Sequence, residues 1–324
     1  MENFFKKSVL ISGGLGYLGG RISQLLLNAG FNVEIATSRH DVVVPDILGG
    51  CGLRYINLED FESLKKATTG IDVVIHLAAM DSNSCSKNPE KSLLVNVLGT
   101  LNFLKAAKAS KVKTFIYSST VHVYGSPLQG EINELTLPRP SHDYSITHRA
   151  AEDYVLKESE STGLKGIVLR FSNIVGSPLT KDVNCWDLVV HDLCRQSIMN
   201  KRMCLLSNNS ILRDYLPISD VSTIILNIIS KPNIFKITSG SIINITKGKS
   251  LTLIEVASLV AARCKILFGF RPVIVSNEDG QKTKQRLLIS NQTAVDIGFN
   301  FNSSLSSEVD SILVKSKEWF VENS

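Results

Sequence analysis

The sequence predicts an α/β protein with a doubly wound parallel sheet, followed by a smaller second α/β domain. Apolar runs of strand length alternate with amphipathic helical patterns, which is the order of elements that a parallel sheet requires. The run 71–79 is apolar almost throughout, as is typical of a strand covered on both faces. A glycine-rich segment also joins the first strand to the first helix.

The glycine-rich segment predicts a dinucleotide site. The apolar run 9–11 is followed by Gly13, Gly16 and Gly19, and a helical pattern then continues to Gly30. Glycine adopts the backbone angles of a tight turn at little cost, and its missing side chain lets backbone N–H groups approach a pyrophosphate. The N-terminus of the helix behind the turn adds partial positive charge.

Composition narrows the possible classes of protein. The 324 residues, 44% of them hydrophobic, can bury one large core or two modest ones. The net charge of +5 is spread along the chain without a basic run, which favours a small anionic ligand over nucleic acid. The six cysteines form no CxxC pair, so neither a metal site nor a disulfide framework is indicated. Scattered cysteines, the lack of a signal-peptide pattern and the lack of a membrane-length apolar run predict a cytoplasmic protein.

The end of the second strand predicts the cofactor. This strand covers residues 31–36 and is followed by Thr37, Ser38, Arg39 and His40. An acidic residue at this place would bind the adenosine ribose of NAD, whereas an arginine can accommodate the 2′-phosphate of NADP. Because no acidic residue stands there, Ser38 and Arg39 favour NADP, and NAD remains the alternative.

The other elements alternate in the first half of the chain and become less regular after residue 176. The elements expected in the first half are a strand at 54–58, a helix at 61–67, the strand 71–79, a helix at 89–109, a strand at 114–119, a helix from Tyr144 and a strand at 166–171. Those expected later are short pieces over 177–210, a strand at 215–219, a helix at 221–230, a strand at 242–245, and helices at 251–264, 291–302 and up to 319. We therefore expect a dinucleotide-binding domain over 1–175, to which 210–246 returns, and a substrate-binding domain over 176–324.

Several short motifs occur in a fixed order along the chain. They are Gly13-x-x-Gly16-x-x-Gly19, His76-Leu77-Ala78-Ala79, Asn96-Val97-Leu98-Gly99-Thr100, Ser118-Ser119-Thr120 with Val123-Tyr124-Gly125, Tyr144 with Ala150-Ala151-Glu152, Leu169-Arg170-Phe171-Ser172-Asn173 and Leu212-Arg213-Asp214-Tyr215. Through these motifs the chain resembles, over nearly its whole length, the extended short-chain dehydrogenase/reductase family, in its nucleotide-sugar epimerase, dehydratase and reductase group. The resemblance implies a Rossmann-type fold, an NAD(P) cofactor and a nucleotide-diphosphate sugar as substrate.

The resemblance also implies roles for individual residues. The catalytic residues implied are Thr120, Tyr144 and His148. The cofactor-binding residues expected are Gly13, Gly16, Leu18, Gly19, Ser38, Arg39, Asn57, Leu58, Leu77, Ala78, Ala79, Asn96, Tyr144 and His148. The substrate contacts expected are Ser82, Asn83, Thr120, Asn173 and Arg213, and no metal is expected. The family commonly forms homodimers through the helices after Asn96 and around Tyr144, and the apolar Leu94 and Leu98 would allow such a pairing.

Two departures from the family pattern bear on function. The family has a lysine four residues after the catalytic tyrosine, and this chain has His148. That lysine normally lowers the pKa of the tyrosine, which titrates near 10 when unperturbed, so its loss impairs a tyrosine acting as base more than one acting as proton donor. Val121 and His122 replace the acidic pair of the sugar dehydratases, which disfavours dehydration.

Three hypotheses follow from these residues. The first is an NADP(H)-dependent reductase of a nucleotide-linked 4-keto-deoxysugar, in which Tyr144 donates a proton while Thr120 holds the same oxygen. The second is an NAD-dependent nucleotide-sugar epimerase, which would need Tyr144 in both directions. The third is a cofactor-binding subunit without turnover, for which the loss of the lysine would be typical.

Overall fold

The structure is a computed structural model that describes residues 7–161, 163–205, 210–232, 237–276 and 286–322. The strands are β1 (Ser8–Ser12), β2 (Asn32–Thr37), β3 (Gly52–Tyr55), β4 (Val73–His76), β5 (Thr114–Thr120), β6 (Gly130–Ile132), β7 (Lys165–Phe171), β8 (Asn173–Val175), β9 (Arg202–Leu205), β10 (Leu212–Pro217), β11 (Ser241–Ile245), β12 (Ser250–Thr252), β13 (Val273–Ser276) and β14 (Leu287–Ile289). The α-helices are α1 (Tyr17–Asn28), α2 (Phe61–Thr68), α3 (Ser82–Lys87), α4 (Pro89–Ser92), α5 (Gly99–Ala109), α6 (Asp143–Ser161), α7 (Val189–Asn200), α8 (Ile218–Ser230), α9 (Leu253–Phe268), α10 (Gln292–Ile297) and α11 (Leu305–Lys317). Short 3₁₀ segments cover Asp46–Leu48 and Val121–Tyr124, and π-helical segments cover Leu93–Leu98 and Glu318–Glu322.

Seven parallel strands form the central sheet, in the order β11-β7-β5-β4-β1-β2-β3. β1 lies between β2 and β4, with Ile11 opposite both Ile35 and Ile75. The order of the strands reverses on either side of β1, and in such sheets ligands bind in the crevice that this reversal opens at the carboxyl ends of the strands. The prediction of a doubly wound parallel sheet is confirmed.

Helices cover both faces of the sheet, which explains why its central strands are apolar throughout. On one face, Ile22 and Leu26 of α1 pack with Val221 and Ile225 of α8. On the other face, α5 and α6 pack over the sheet in a second apolar cluster that includes Phe103. Neither face of the central strands meets water, so the alternation of apolar and polar residues seen in half-exposed strands is absent.

The later part of the chain forms smaller sheets and a helical cluster. β10 pairs in parallel with β8 and antiparallel with β12, while β13 pairs with β9 and β14 with β6. Helices α7, α9 and α11 enclose a third apolar core. Segment 241–245 returns to the central sheet as β11, beside β7. The boundaries of the two domains remain a prediction.

None of the described helices combines the length and apolar character needed to cross a bilayer.

Several strand boundaries differ from the prediction in a way that forms the site. The third strand covers Gly52–Tyr55 and not 54–58, and the fourth covers Val73–His76 and not 71–79. After each of these two strands the chain leaves the sheet. The apolar residues that follow the strand line a groove at the carboxyl end of the sheet. The strand expected at 215–219 is Leu212–Pro217, and α8 begins directly after it. The segment 177–210 also contains a helix of 12 residues, α7.

A buried ion pair joins α6 to β7 beneath the carboxyl end of the sheet. Arg170 Nε lies 2.8 Å from Glu152 Oε1, and Arg170 Nη2 lies 2.6 Å from Glu152 Oε2. The Ser119 hydroxyl of β5 donates to the same carboxylate at 2.5 Å. Glu152 has no exposed surface and Arg170 is 1% exposed, so the Arg170 guanidinium depends on this carboxylate, to which Arg149 Nη1 also donates at 3.3 Å.

We expect Glu152→Gln to lower the free energy of unfolding by about 3 to 5 kcal/mol, because it leaves the buried guanidinium without its counter-charge. Urea unfolding followed by far-ultraviolet circular dichroism measures this change. The control is Asp153→Asn on the same helix, whose exposed pair with Arg149 should contribute roughly 0.5 kcal/mol. Equal urea midpoints for the two variants would contradict the role given to Glu152.

Candidate active site

A groove lies at the carboxyl ends of β1, β2 and β4, and we call it the glycine groove. It has a volume of about 530 Å³. Ten of the predicted cofactor residues line it: Gly13, Gly16, Leu18, Gly19, Ser38, Arg39, Leu58, Leu77, Ala78 and Ala79. The structure thus brings together, at one edge of the sheet, residues from four separate segments of the chain.

The glycine turn is packed so closely that side chains are excluded from it. Gly13 has a φ of +72°, and a Cβ atom there would lie 3.2 Å from the backbone nitrogen of Ala78. A Cβ atom on Gly19 would lie 2.0 Å from the carbonyl oxygen of Gly13. Gly16 precedes α1 as its N-cap without a side-chain acceptor, so the first N–H groups of this helix have no capping side chain. This arrangement fits the pyrophosphate of a dinucleotide.

The adenosine end of the groove carries a single charge. Among the described residues that line the glycine groove, Arg39 is the only charged one. Arg39 is exposed, and its backbone N–H donates to Thr37 Oγ1 at 3.2 Å. No carboxylate stands where the adenosine ribose of NAD would be bound, and the guanidinium suits a phosphate.

Two of the predicted cofactor residues do not line the groove. Asn57 Oδ1 accepts from the backbone N–H of Glu59 at 3.0 Å, so the side chain holds its own turn while Leu58 reaches the groove. Asn96 is 1% exposed, and its amide bonds the backbone N–H of Met80 at 2.8 Å and Thr147 Oγ1 at 3.1 Å. Asn96 therefore fixes the segment after β4 against α6. Neither residue lines the glycine groove, and their contacts with the cofactor stay a prediction.

A second cavity adjoins the groove, and we call it the tyrosine cavity. Its volume is about 470 Å³, and it shares Tyr17 and Ser118 with the groove. The predicted residues that line it are Ser82, Thr120, Tyr144, Asn173 and Arg213. Asn83 does not line it, because Asn83 lies on the exposed side of the short helix α3.

Thr120 and Tyr144 both line the tyrosine cavity, close enough for the Thr120 hydroxyl to act on the Tyr144 phenol. The backbone N–H of His122 donates to Thr120 Oγ1 at 3.2 Å, which leaves the Thr120 hydroxyl proton available to another acceptor. Burial, with smaller effects of Cys85 and Asp81, raises the pKa of the Tyr144 phenol to about 12, against a lowering effect of Thr120. Tyr144 is therefore a phenol, and hence a proton donor, at neutral pH.

His148 lies one helical turn after Tyr144, with the two rings 4.4 Å apart, but it lines neither cavity. Its Nδ1 lies 2.8 Å from the Tyr117 hydroxyl, and its Nε2 is buried without a hydrogen-bond partner. Burial lowers the pKa of His148 to about 4, so the ring is neutral. The imidazole is held by Tyr117 away from both cavities, and the contact of His148 with the cofactor stays a prediction.

Two predicted residues stand on the opposite wall of the tyrosine cavity. Asn173 Nδ2 donates to the backbone carbonyl of Asp214 at 2.9 Å, which fixes the side-chain amide. Among the described residues Arg213 pairs with no carboxylate, so its charge is available to an anion in the cavity. The buried Asp214 carboxylate accepts from Ser172 and from the backbone N–H of Lys247, and it thereby holds the strand that carries Arg213.

Sequence reasoning assigned no role to several residues that line the tyrosine cavity. These are Tyr17, His142, Asp187, His191 and Tyr215, among others. Tyr17 stands inside the glycine motif, and His142 stands two residues before Tyr144, so their proximity to named residues was a usable signal. Asp187 lies in an irregular segment and His191 follows it. No pattern in the sequence indicates that this segment packs at the cavity. No cluster of metal-ligating side chains occurs among the described residues.

The glycine groove and the tyrosine cavity agree with the protein family that the sequence matches. A model of the NAD dependent epimerase/dehydratase family matches residues 9–246, a segment that contains both Gly13 and Tyr144. The chain belongs to this family. The resemblance drawn from the motifs is therefore confirmed, and so is the expected class of enzyme, an NAD(P)-dependent one whose relatives are nucleotide-sugar epimerases and reductases.

Individual members of the family include epimerases and reductases. A Bacillus subtilis protein described as an uncharacterized UDP-glucose epimerase, YtcB, is 25% identical over 272 residues, which are 78% of this chain and 80% of that protein. The GDP-6-deoxy-D-mannose reductase of Pseudomonas aeruginosa is 30% identical over 200 residues, which are 59% of this chain and 62% of that one. The solved structure of MoeE5 with UDP-glucose and NAD has a TM-score of 0.79 at 24% identity, covers 97% of this chain and 99% of its own, and shows the shared fold.

We expect His148→Asn to reduce the loss of stability on acidification. In the folded protein His148 resists protonation down to about pH 4, whereas in the unfolded chain it titrates near 6.5. The unfolded state therefore binds the extra proton as the pH falls through this window, and stability present above pH 6.5 is lost. Removing this group should make the loss of unfolding free energy between pH 7 and pH 4.5 smaller by about 2 kcal/mol.

Urea unfolding at four pH values between 4.5 and 7.5 measures this difference. His40→Asn, at an exposed histidine that stacks on Tyr55, is the control. The same pH dependence in wild type and in His148→Asn would show that His148 is not held neutral.

Proposed function

We propose that the chain is an NADP(H)-dependent reductase of a nucleotide-linked 4-keto-deoxysugar, with Tyr144 as the proton donor. One observation carries this proposal: among the described residues no cation acts on the Tyr144 phenol, and the residue four positions later is a buried, neutral histidine. A tyrosine without that charge keeps its proton at neutral pH. It is suited to give a proton to a carbonyl oxygen and poorly suited to remove one from an alcohol.

In this proposal the bound dinucleotide would supply the hydride, and the protein supplies the proton and the orientation. Tyr144 donates its proton to the carbonyl oxygen of the sugar while Thr120 donates a second hydrogen bond to the same oxygen. The backbone N–H of His122 occupies a lone pair of Thr120 Oγ1 and thereby turns the hydroxyl proton toward this acceptor. Both donors act where negative charge develops, which is where they lower the barrier.

The nucleotide diphosphate would bind on the wall of the tyrosine cavity that carries Asn173 and Arg213. The guanidinium of Arg213 is unpaired among the described residues, and its planar donors match phosphate oxygens. The Asn173 amide is already oriented by its bond to the backbone of strand β10. Ser82, which also lines the cavity, would contact the sugar.

NADP is the cofactor that the glycine groove favours. Arg39 is the only charged side chain in the described lining, and it stands at the end of β2. A 2′-phosphate at this place would gain a cation, whereas the ribose hydroxyls of NAD would find no carboxylate.

A nucleotide-sugar epimerase is the second candidate. It is favoured by the Bacillus subtilis relative, whose match covers more of this chain than that of the reductase relative. An epimerase removes and returns a hydride within one site, so Tyr144 would have to act as a base in one half-reaction. The raised pKa of Tyr144 argues against that use.

A second copy of the chain is the expected partner. Three leucines of the helical segment before α5, Leu93, Leu94 and Leu98, are 51%, 45% and 41% exposed, and Ile146 on α6 is 45% exposed. Apolar side chains on two adjacent helices support a homodimer that would cover them.

We expect reduction of a nucleotide 4-keto-6-deoxyhexose with NADPH to be independent of pH between 6 and 10, because Tyr144 stays protonated up to a pKa of about 12. Replacing His148 with lysine should place a cation beside the phenol. The activity of His148→Lys should then fall at a pH about 1 to 3 units lower than in wild type. The measurement is kcat/KM for NADPH oxidation against pH, with GDP- and dTDP-linked substrates.

His148→Gln, which stays neutral, is the matched control and should keep the flat profile. Tyr144→Phe should remove most of the activity at every pH, since the group that transfers a proton to the carbonyl oxygen is lost and Thr120 supplies only a hydrogen bond. Interconversion of UDP-glucose and its 4-epimer without net oxidation of cofactor would favour the epimerase. Binding of NADPH with no turnover of any substrate would favour the cofactor-binding subunit.

We expect Arg39→Asp to weaken NADPH binding by roughly 10- to 100-fold and to weaken NADH binding little, because the change removes the cation for the 2′-phosphate and adds a carboxylate for the ribose. Fluorescence titration with each reduced cofactor gives the two dissociation constants. Lys66→Asp, which makes the same change of charge at an exposed position outside the groove, is the control. A similar loss of affinity for NADPH and NADH would refute the role of Arg39.

A further inference from the structure

Three aromatic side chains from distant parts of the chain form a cluster, which we call the aromatic clamp: Trp186, Trp319 and Phe320. Trp186 belongs to the segment 181–188 between β8 and α7, and the other two belong to the π-helical segment Glu318–Glu322. The ring centre of Trp186 lies 4.8 Å from that of Phe320 and 6.0 Å from that of Trp319. Both pairs meet edge to face, at 88°, which is a favoured arrangement of aromatic rings.

Polar contacts reinforce the clamp from both sides. The indole N–H of Trp186 donates to the backbone carbonyl of Lys181 at 2.8 Å. The ammonium group of Lys181 then lies 5.1 Å from the centre of the Phe320 ring, within the range of a cation–π contact. Lys315 makes the equivalent contact with Trp319, also at 5.1 Å. The segment 181–188 thus contacts the π-helical segment at two points, through Lys181 and through Trp186.

The segment held by the clamp forms part of the wall of the tyrosine cavity. Asp187 and Leu188, which directly follow Trp186, line this cavity, as do the first residues of α7. The Trp186 ring also lies 6.1 Å from the ring of His191, at the same wall. His191 is fully buried, and its Nε2 pairs with the backbone carbonyl of Gly176 at 2.8 Å.

The contacts continue from His191 to the glycine groove. The ring of His191 lies 5.0 Å from that of Tyr17, edge to face. Tyr17 is the first residue of α1 and lines both the groove and the tyrosine cavity. The clamp therefore stands at the outer end of a row of packed rings that reaches the junction of the two cavities.

Besides Trp186, the segment 181–188 is held by the buried side chain of Cys185, which is 1% exposed, and by one polar contact. It contains no helix or strand, and Lys181, Asp182 and Asn184 are exposed. Asn184 Nδ2 donates to Asp81 Oδ2 at 3.3 Å, a long bond between exposed side chains. A segment of this kind loses conformational entropy when it is ordered, so the packing of Trp186 is a main source of its order.

We propose that Trp319 and Phe320 are positioning residues, which act through Trp186 to hold the wall of the tyrosine cavity and so set its affinity for the nucleotide substrate. The identity of that substrate rests on the function proposed above, whereas the effect on the wall does not. Neither aromatic residue touches the reacting atoms. The expected signature is a change in substrate affinity and in the mobility of segment 181–191, with cofactor affinity unchanged.

The test compares Phe320→Ala with Val321→Ala, a truncation of the next side chain, which is 49% exposed. The full-length proteins are first measured by hydrogen–deuterium exchange without ligand. Phe320→Ala should speed exchange in peptides that cover 181–191, because the segment loses its edge-to-face contact and the ring under Lys181. Phe320→Tyr keeps the ring and should restore the wild-type rate, as should the Val321→Ala control.

Calorimetric titration with UDP and with GDP then gives the dissociation constant of each nucleotide, which reports on the wall of the tyrosine cavity. Phe320→Ala should weaken the binding of the preferred nucleotide by roughly 3- to 10-fold, as expected for the loss of one aromatic pair. The dissociation constant for NADPH should stay within about twofold of wild type.

The outcomes separate the two proposals. Unchanged exchange over 181–191 in Phe320→Ala overturns the clamp, whatever the protein binds. Faster exchange with unchanged nucleotide affinity overturns its role in positioning the substrate. A wild-type protein that binds neither UDP nor GDP contradicts the proposed function, while the exchange result still decides whether the clamp holds the segment.

Discussion

The buried carboxylate of Glu152 is the constraint on which the geometry of the site depends. It receives hydrogen bonds from Arg170 on β7 and from Ser119 on β5. Ser119 is adjacent to Thr120, and Tyr144 lies two turns before Glu152 on the same helix. The ion pair therefore sets the distance between the strand that carries one hydroxyl and the helix that carries the other. An apolar residue of similar size would fill the space, but it would not fix the register of the helix against two strands.

The charges of the two cavities are arranged around a neutral centre. Arg39 stands at the outer end of the glycine groove, and Arg213 stands on the wall of the tyrosine cavity. Between them lie Thr120, Tyr144 and the buried ring of His148, all uncharged at neutral pH. Exposed carboxylates of Asp81 and Asp187 mark the rim. Such a distribution attracts an anionic group at each end and leaves the middle free of fixed charge, where a carbonyl can accept a proton.

The sequence was enough to predict the central sheet, but it was not enough to predict the orientation of individual side chains. Strands buried on both faces leave unbroken apolar runs, and a glycine turn leaves a spacing that few other structures need, so both are visible without any tertiary information. Asn57 and Asn96 stand in motifs typical of cofactor contacts, yet their amides bond the backbone nearby. Periodicity indicates which residues are near a site, but it does not indicate which hydrogen bonds compete for them.

The second half of the chain shows a different limit. Helix α7 begins directly after the irregular segment that carries Trp186, and its wall residue His191 is placed by packing against helices far away in sequence. No local sequence pattern indicates that packing, because each residue involved is an ordinary apolar or aromatic residue within its own segment. Tyr17 was overlooked for the opposite reason, since it stands inside a motif whose glycines attract attention.

The aromatic clamp also determines what optical measurements of this protein report. The chain has two tryptophans, and both of them, Trp186 and Trp319, belong to the clamp. Tryptophan emission is therefore a signal from the segments 181–188 and 318–322, neither of which contributes a strand to the central parallel sheet. A denaturation curve recorded by this emission would describe the loosening of the clamp, whereas backbone dichroism would describe the helices and the sheet. Any discrepancy between emission and backbone dichroism would thus measure how far the two parts of the fold lose their structure together.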